Sequence, residues 1–183
     1  MSAKNARYHP VSKLQHWLTA AAIFCVVPLG IAMTNADPGP EQNRLYDLHR
    51  SFGAVILLLS GLRLLWRLYS PPPPLVADLP EWQELSAKVV HRALYVLLFA
   101  VPILGWAGTS AFRAPIFVFE LFELPPILPE NRDLSESLLE IHELLAFTLC
   151  GVLLLHIAAS LQHHFIRKDT TLKRILPRAL GGL

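Results

Sequence analysis

His142 and His156 stand fourteen residues apart in one long apolar segment, and His16 and His49 lie at the entrances of two others. Neutral imidazoles are ordinary axial ligands for haem iron, so residues of this type at these places would let the chain carry electrons. On a helix with about 1.5 Å rise and about 100° per residue, fourteen residues amount to about 21 Å of depth and only about 40° of rotation. Both rings therefore leave one face, and one helix offers an inward ligand at two heights. The expectation is two bis-histidine haems stacked across a bilayer. No Cys-x-x-Cys-His run occurs, which excludes a covalently attached c-type haem and leaves coordination and burial to hold the cofactor.

The elements that position these histidines must be helices in lipid. The chain has 183 residues, 53% hydrophobic and only 16% charged, too apolar for a soluble domain of this size. Four stretches, 14–33, 48–69, 89–110 and 139–165, are long enough to cross a hydrocarbon core of about 30 Å. The expected architecture is all-α: one membrane-embedded domain over 1–183, built as a bundle of four transmembrane helices. With Lys4, Arg7 and Lys13 before it, the first stretch could also be read as a signal peptide. Its length, Pro28 and the lack of a small-x-small site before Asp37 favour a helix that stays. Cys25 and Cys150 fall mid-helix in different segments and read as small packing residues.

Charge sets the expected orientation. Twelve of the 16 basic residues lie at the N-terminus (Lys4, Arg7, Lys13), around the middle connection (Arg63, Arg67, Lys88, Arg92) or in the C-terminal tail (Arg167, Lys168, Lys173, Arg174, Arg178). The positive-inside rule then puts both termini in the cytoplasm. The outer side carries Arg44, Arg50, Arg113 and Arg132 against acids that include Asp37, Asp47, Glu123, Asp133 and Glu140. The basic residues are thus accounted for by topology, which argues against nucleic acid as a partner.

The Ser70–Pro74 run must end the second helix, since proline lacks an amide donor, and a stiff linker follows it. Residues 78–88 read as an amphipathic lead-in to the third helix with Trp82 as an interfacial anchor. The connection 111–138 is rich in apolar residues and is expected either to fold over the bundle mouth as a lid or to lie on the membrane surface. Pro28 and Pro102 should kink their helices.

With this topology the histidines sort by depth into an outer pair, His49 with His142, and an inner pair, His16 with either His156 or His163. His163 shares the face of His156, about 10 Å further in. Flanked by Leu153, Leu154, Leu155 and Ile157, His156 would be costly without a partner, and it is taken as the ligand. His163 is left for a second role. His9 and His164 read as interfacial, and His91 is open between the two readings. Arg63 and Arg67 serve either as snorkelling topology charges or as partners of haem propionates, a role for which Arg50 is a third candidate.

These features together resemble the bacterial cytochrome b561 family, which is related to the cytochrome b subunits of nickel hydrogenases. The matching residues are His16-Trp17, Leu48-His49, Arg63-Leu64-Leu65-Trp66-Arg67 before the Ser-Pro run, and His91 with Tyr95. On the fourth helix they are Ile141-His142, Leu155-His156 and Gln162-His163-His164-Phe165 with Asp169-Thr170-Thr171-Leu172. The resemblance covers nearly the whole chain. It implies a bacterial inner-membrane, multi-pass cytochrome holding two non-covalent haem b groups and exchanging electrons with the quinone pool. It assigns His16 with His156 to one haem and His49 with His142 to the other, and implies a quinone site for which His163 is the candidate.

One branch of that family resembles a superoxide oxidase that passes an electron from superoxide outside to ubiquinone. An anionic substrate is steered best by a basic mouth, whereas the outer loops here are acidic. An acidic rim suits a basic soluble periplasmic partner, or is simply a solvated surface. Three readings follow: a di-haem electron carrier, a superoxide:quinone oxidoreductase, and a protein that moves or assembles a metal through its histidines.

Overall fold

The computed structural model describes residues 7–76 and 78–181; Lys4 of the basic N-terminal run lies outside them. Four long helices account for most of the chain: α1 (Pro10–Asn35), α2 (Pro40–Tyr69), α3 (Glu81–Phe112) and α4 (Arg132–Gln162). All four are long and apolar enough to cross a membrane. A two-stranded hairpin, β1 (Ile116–Val118) and β2 (Phe122–Leu124), joins α3 to α4. Past α4, a π-helical turn (His163–Arg167) and the short α5 (Thr171–Ile175) lead to a last turn at Arg178–Leu180.

Each helix begins four to eight residues before its apolar stretch, because a chain already hydrogen-bonded in lipid continues into the polar boundary wherever it can be capped. The ring of His9 accepts the Val11 amide at 3.2 Å, Pro10 and Pro40 occupy the first turns of α1 and α2, and Asn131 accepts the Leu134 amide at 3.0 Å. The stretch expected as a lead-in from 78 to 88 is continuous with α3 from Glu81. Ser70 ends α2 against the proline run, and Pro28 and Pro102 lie inside their helices.

A short connection joins α1 to α2 and the β-hairpin connection joins α3 to α4, which makes two antiparallel helical hairpins, each tightly packed within itself. Contact between the hairpins is thinner, and the histidines lie there. The buried apolar core, Ala22, Ile23, Ile56, Leu94, Leu97, Leu98 and Leu149, sits at mid-depth. Around it the outer faces are greasy: Phe24, Leu58 and Leu154 are 68%, 62% and 69% exposed, a surface that only lipid would cover.

The β hairpin folds back over the mouth of the bundle. Ile116 and Val118 are buried, and the ring of Phe119 packs edge-on against Phe52 at 5.4 Å. The Ser51 hydroxyl accepts the Phe119 amide at 2.9 Å. The turn places Phe119 and Glu120 in the left-handed region, at φ 48° and 61°, a conformation held by these contacts. Of the two expectations for this connection, the lid describes its packing, while Leu121 and Phe122 remain exposed on its outer surface.

On the other hairpin, Gly108 lets α4 approach closely, since a Cβ there would lie 2.8 Å from Leu139 Cδ2. The buried Ser135 hydroxyl donates to the Gly108 carbonyl at 2.9 Å. Ser135→Ala should therefore cost about 1 kcal/mol, read as a lowered thermal midpoint of the purified protein in detergent.

Candidate functional site

Every long helix carries two inward positions fourteen residues apart: His16 and Gly30 on α1, His49 and Arg63 on α2, His91 and Gly105 on α3, His142 and His156 on α4. The contacts sort them into two levels. At the level toward the β hairpin, outer in the expected orientation, are His49, His142, Gly30 and Gly105; at the level toward the start of α1 and the end of α4, inner in that orientation, are His16, His156, Arg63 and His91. A heptad step from the histidines leads to Ile23, Ile56 and Leu149, all in the core. The packed apolar layer thus lies about 10 Å from each level and separates them.

At the outer level the ring centres of His49 and His142 are 6.1 Å apart. Each ring is set by the other helix of its own hairpin. His49 Nδ1 lies 3.1 Å from the Val26 carbonyl and His142 Nδ1 lies 2.8 Å from the Val101 carbonyl. A carbonyl only accepts, so in both rings the proton is on Nδ1 and the Nε2 lone pair is left to a ligand. One turn beyond each carbonyl stands a glycine. A Cβ at Gly30 would lie 3.0 Å from His49 Cε1, and one at Gly105 would lie 3.0 Å from His142 Cε1. Arg50, next to His49, reaches Asp47 at 3.5 Å and the Pro115 carbonyl at 3.4 Å, with its guanidinium over the Tyr46 ring.

At the inner level the ring centres of His16 and His156 are 6.3 Å apart, and His91 stands 5.3 Å from His156. Among the described residues no backbone carbonyl fixes His16; instead Arg63 Nη2 lies 3.2 Å from its Nδ1. Arg63 and Arg67 both lie over the Tyr95 ring. Tyr8, just before α1, faces the same arginines, and burial pushes its phenol up against their pull. Among the described residues, no group of three or more His, Cys, Asp or Glu side chains is close enough to hold a bare metal ion. Cys25 and Cys150 are free, and Cys25 is exposed on the lipid-facing surface.

Further in, the C-terminal segment crosses the inner end of the bundle. Trp17 Nε1 donates to the Ile175 carbonyl at 3.0 Å and Lys13 to that of Leu176 at 2.9 Å, while the buried Arg174 donates to the Pro74 carbonyl at 2.9 Å. Arg167 reaches Gln83 Oε1 at 3.2 Å and the Asp78 carbonyl at 3.1 Å. The π-helical turn and a left-handed Lys168 (φ 54°) reverse the chain so that the Asp169 carboxylate returns to His163 Nδ1 at 2.6 Å. Burial works to raise the Asp169 carboxyl, but hydrogen bonds from His163 and Thr171 outweigh it and hold the group below the usual carboxylate range.

The structure therefore brings His49 to His142 and His16 to His156, and places His163 in the π-helical turn that opens the C-terminal strap, residues 163–180. The carbonyls of Val26 and Val101, the two glycines and the Asp169 contact escaped the reading of the sequence. A backbone carbonyl leaves no mark in a side-chain pattern. The glycines did leave one, since each stands fourteen residues from a histidine of its own helix.

A four-helix membrane protein with two levels of facing histidines is what these observations define. The family profile described as prokaryotic cytochrome b561 matches residues 7–178, and the chain belongs to that family. It is 34% identical over 174 residues to cytochrome b561 homolog 2 of Escherichia coli (strain K12), covering 94% of this chain and 93% of that protein. It is also similar to a probable superoxide oxidase, CybB, of Yersinia pestis, with 32% identity over 91% of this chain and 93% of that one. Cytochrome b561 homolog 1 of E. coli is 29% identical over 89% of this chain and 93% of its own length. The family binds haem b in the membrane and implies electron transport.

The two glycines give a sharp test. Gly30→Ala and Gly105→Ala should each crowd a histidine ring, at a cost of roughly 1–3 kcal/mol, and lower haem retention or shift the reduced absorption bands. Gly61→Ala, where a Cβ meets nothing within 4 Å, should do neither.

Proposed function

We propose that the chain is a two-haem b-type cytochrome of the bacterial inner membrane that exchanges electrons between membrane quinone and a partner on the outer side. His49 and His142 are the axial ligands of the outer haem, and His16 and His156 those of the inner one. The observation that carries this reading is the spacing of the rings. An iron–nitrogen bond of about 2 Å on each side, with about 1 Å from each nitrogen to its ring centre, asks for roughly 6 Å between centres. The two pairs stand at 6.1 and 6.3 Å. His91, at 5.3 Å from His156, is too near to leave that room and is read as a neighbour of the ligand.

Haem b, when bound, supplies a reversible one-electron couple. The chain's own residues do the rest. At the outer level the Val26 and Val101 carbonyls fix the tautomer and strengthen the basicity of each imidazole. At the inner level the guanidinium of Arg63 can only donate, so ligation through His16 Nε2 requires the proton to move to Nδ1 and Arg63 to turn away. A haem propionate is the natural acceptor for the released guanidinium, and for Arg67 beside it; Arg50 has the same role in reserve at the outer level. The apolar layer keeps water from the path between the levels. His163 is the quinone-side residue, and both termini face the cytoplasm, as the distribution of basic residues favours.

The Yersinia relative named as a probable superoxide oxidase favours a second reading, in which the outer donor is superoxide. The acids around the outer mouth repel that anion and favour a cationic soluble donor instead. Rapid mixing of the oxidised protein with superoxide separates the two: haem reduction near the diffusion limit would establish the oxidase, and slow reduction leaves the carrier.

His156→Ala should fold with one haem per chain in place of two, counted by pyridine haemochrome against protein. His49→Ala should lose the other haem. A His156→Ala protein with unchanged haem content and spectrum would refute the assignment. Reporter fusions at both ends should be active on the cytoplasmic side only.

A further inference from the structure

His163 and Asp169 form a dyad that none of the family's haem ligation requires. Asp169 Oδ2 lies 2.6 Å from His163 Nδ1, the shortest contact made by any histidine among the described residues. The carboxylate is itself clamped. The Thr171 amide donates to Oδ1 at 2.9 Å and Arg167 Nε lies 3.4 Å from Oδ2. Both groups are mostly buried, with 15% and 18% of their side-chain surfaces exposed. A carboxylate accepts only, so His163 must donate from Nδ1, and Nε2 becomes its lone-pair nitrogen. No hydrogen bond to Nε2 is made by the described residues. The π-helical turn that produces this contact ends the fourth span, and the chain reverses just after it at the left-handed Lys168.

We propose that Asp169 is the positioning residue for His163: it locks the imidazole with its proton on Nδ1, so that Nε2 is the atom that takes a proton from a bound quinol. The proposal rests on His163 being the quinone-side residue. In each half of quinol oxidation one O–H bond breaks, its proton forms the Nε2–H bond, and its electron reduces the inner haem from ferric to ferrous. Two such events release two protons and two electrons and leave the quinone. Between them the imidazolium returns its proton toward the cytoplasm and the electron moves outward. Asp169 stabilises the imidazolium while it lasts and stays ionised throughout. For quinone reduction the same steps run backward.

The contacts predict what Asp169→Asn does. The Thr171 amide at 2.9 Å demands an oxygen at the Oδ1 place, so the new amide NH2 must occupy the Oδ2 place and face His163 Nδ1. Arg167 Nε, 3.4 Å away on a flexible side chain, then has to retract. Nδ1 becomes an acceptor and the ring proton moves to Nε2. In that form the ring still hydrogen-bonds a quinone carbonyl but has no lone pair for a quinol proton. The same wrong-tautomer effect in a serine-protease triad costs about 10⁴ in rate.

The test uses the purified two-haem protein. In ¹⁵N-histidine spectra, with His163→Gln locating the signal, the neutral His163 ring should show Nδ1–H in the parent and Nε2–H in Asp169→Asn. With decylubiquinol as donor in stopped flow, Asp169→Asn should slow haem reduction by about 10²-fold or more at saturating quinol, leaving the half-saturating concentration within about 3-fold. Haem content and dithionite-reduced spectrum should be unchanged. Asp169→Glu should recover most of the rate, and adding Asp169→Asn to His163→Gln should cost nothing further. A parent-like rate or tautomer in Asp169→Asn overturns the proposal. If decylubiquinol fails to reduce even the parent protein, the quinone reading falls, and the tautomer spectra still decide whether Asp169 sets the ring.

Discussion

A histidine in the hydrocarbon of a bilayer has no water to turn to, so every ring nitrogen there needs a partner from the protein or from what the protein binds. The rest of the architecture follows from that constraint. At the outer level one nitrogen of each ring is given to a carbonyl of the neighbouring helix, and the room for doing so comes from a glycine one turn on. On the proposed reading the other nitrogens are left to an iron porphyrin, which the 6.1 Å between the two ring centres would admit. In this view the haem completes the polar satisfaction of the bundle as well as supplying its redox chemistry.

The two levels are built from one pattern and differ in what fills it. Where α2 has His49 at the outer level it has Arg63 at the inner one, and where α3 has Gly105 it has His91. The outer level is therefore preset by neutral backbone groups, the inner one by a guanidinium and a third imidazole. Positive charge beside an iron favours its reduced state, so on the proposed reading Arg63, which touches a ligand ring directly, is a lever on the inner potential, whereas Arg50 at the outer level is engaged with Asp47 and the Pro115 carbonyl. Between them the layer around Ile23, Ile56 and Leu149 packs like an ordinary core. It fixes the separation of the levels by helix geometry, about 21 Å along the axis.

Both mouths are covered, by different devices. Outside, a β hairpin anchored through Ser51 and Phe52 sits two to three residues from His49, so its position and that of the outer pair are coupled through one turn of α2. Inside, the strap after α4 ties α1, the proline linker and α3 together and brings Asp169 to His163. The cover beside His163 is held mainly by polar side chains, while the β hairpin combines buried apolar side chains with hydrogen bonds to Ser51.

Much of this was legible in the sequence because helices in lipid leave little freedom. Apolar length gave the four spans, the proline run ended the second, and the fourteen-residue interval on α4 gave two heights from the pitch of a helix alone. The depth of each histidine followed from which end of its span it stood near; depth matched His49 with His142, but it left His16 open between His156 and His163, and His156 was preferred because an unpartnered imidazole among leucines is costly. What the sequence could not carry were contacts made by the backbone or by chain reversal. That Val26 and Val101 offer carbonyls to the histidines depends on the rotation of each helix within its hairpin. That Asp169 meets His163 depends on a π-helical turn and a left-handed Lys168 that no periodicity announces. Spacing along a helix fixes where a side chain stands, whereas its hydrogen-bond partner is fixed by how neighbouring segments pack, and only the tertiary structure decides that.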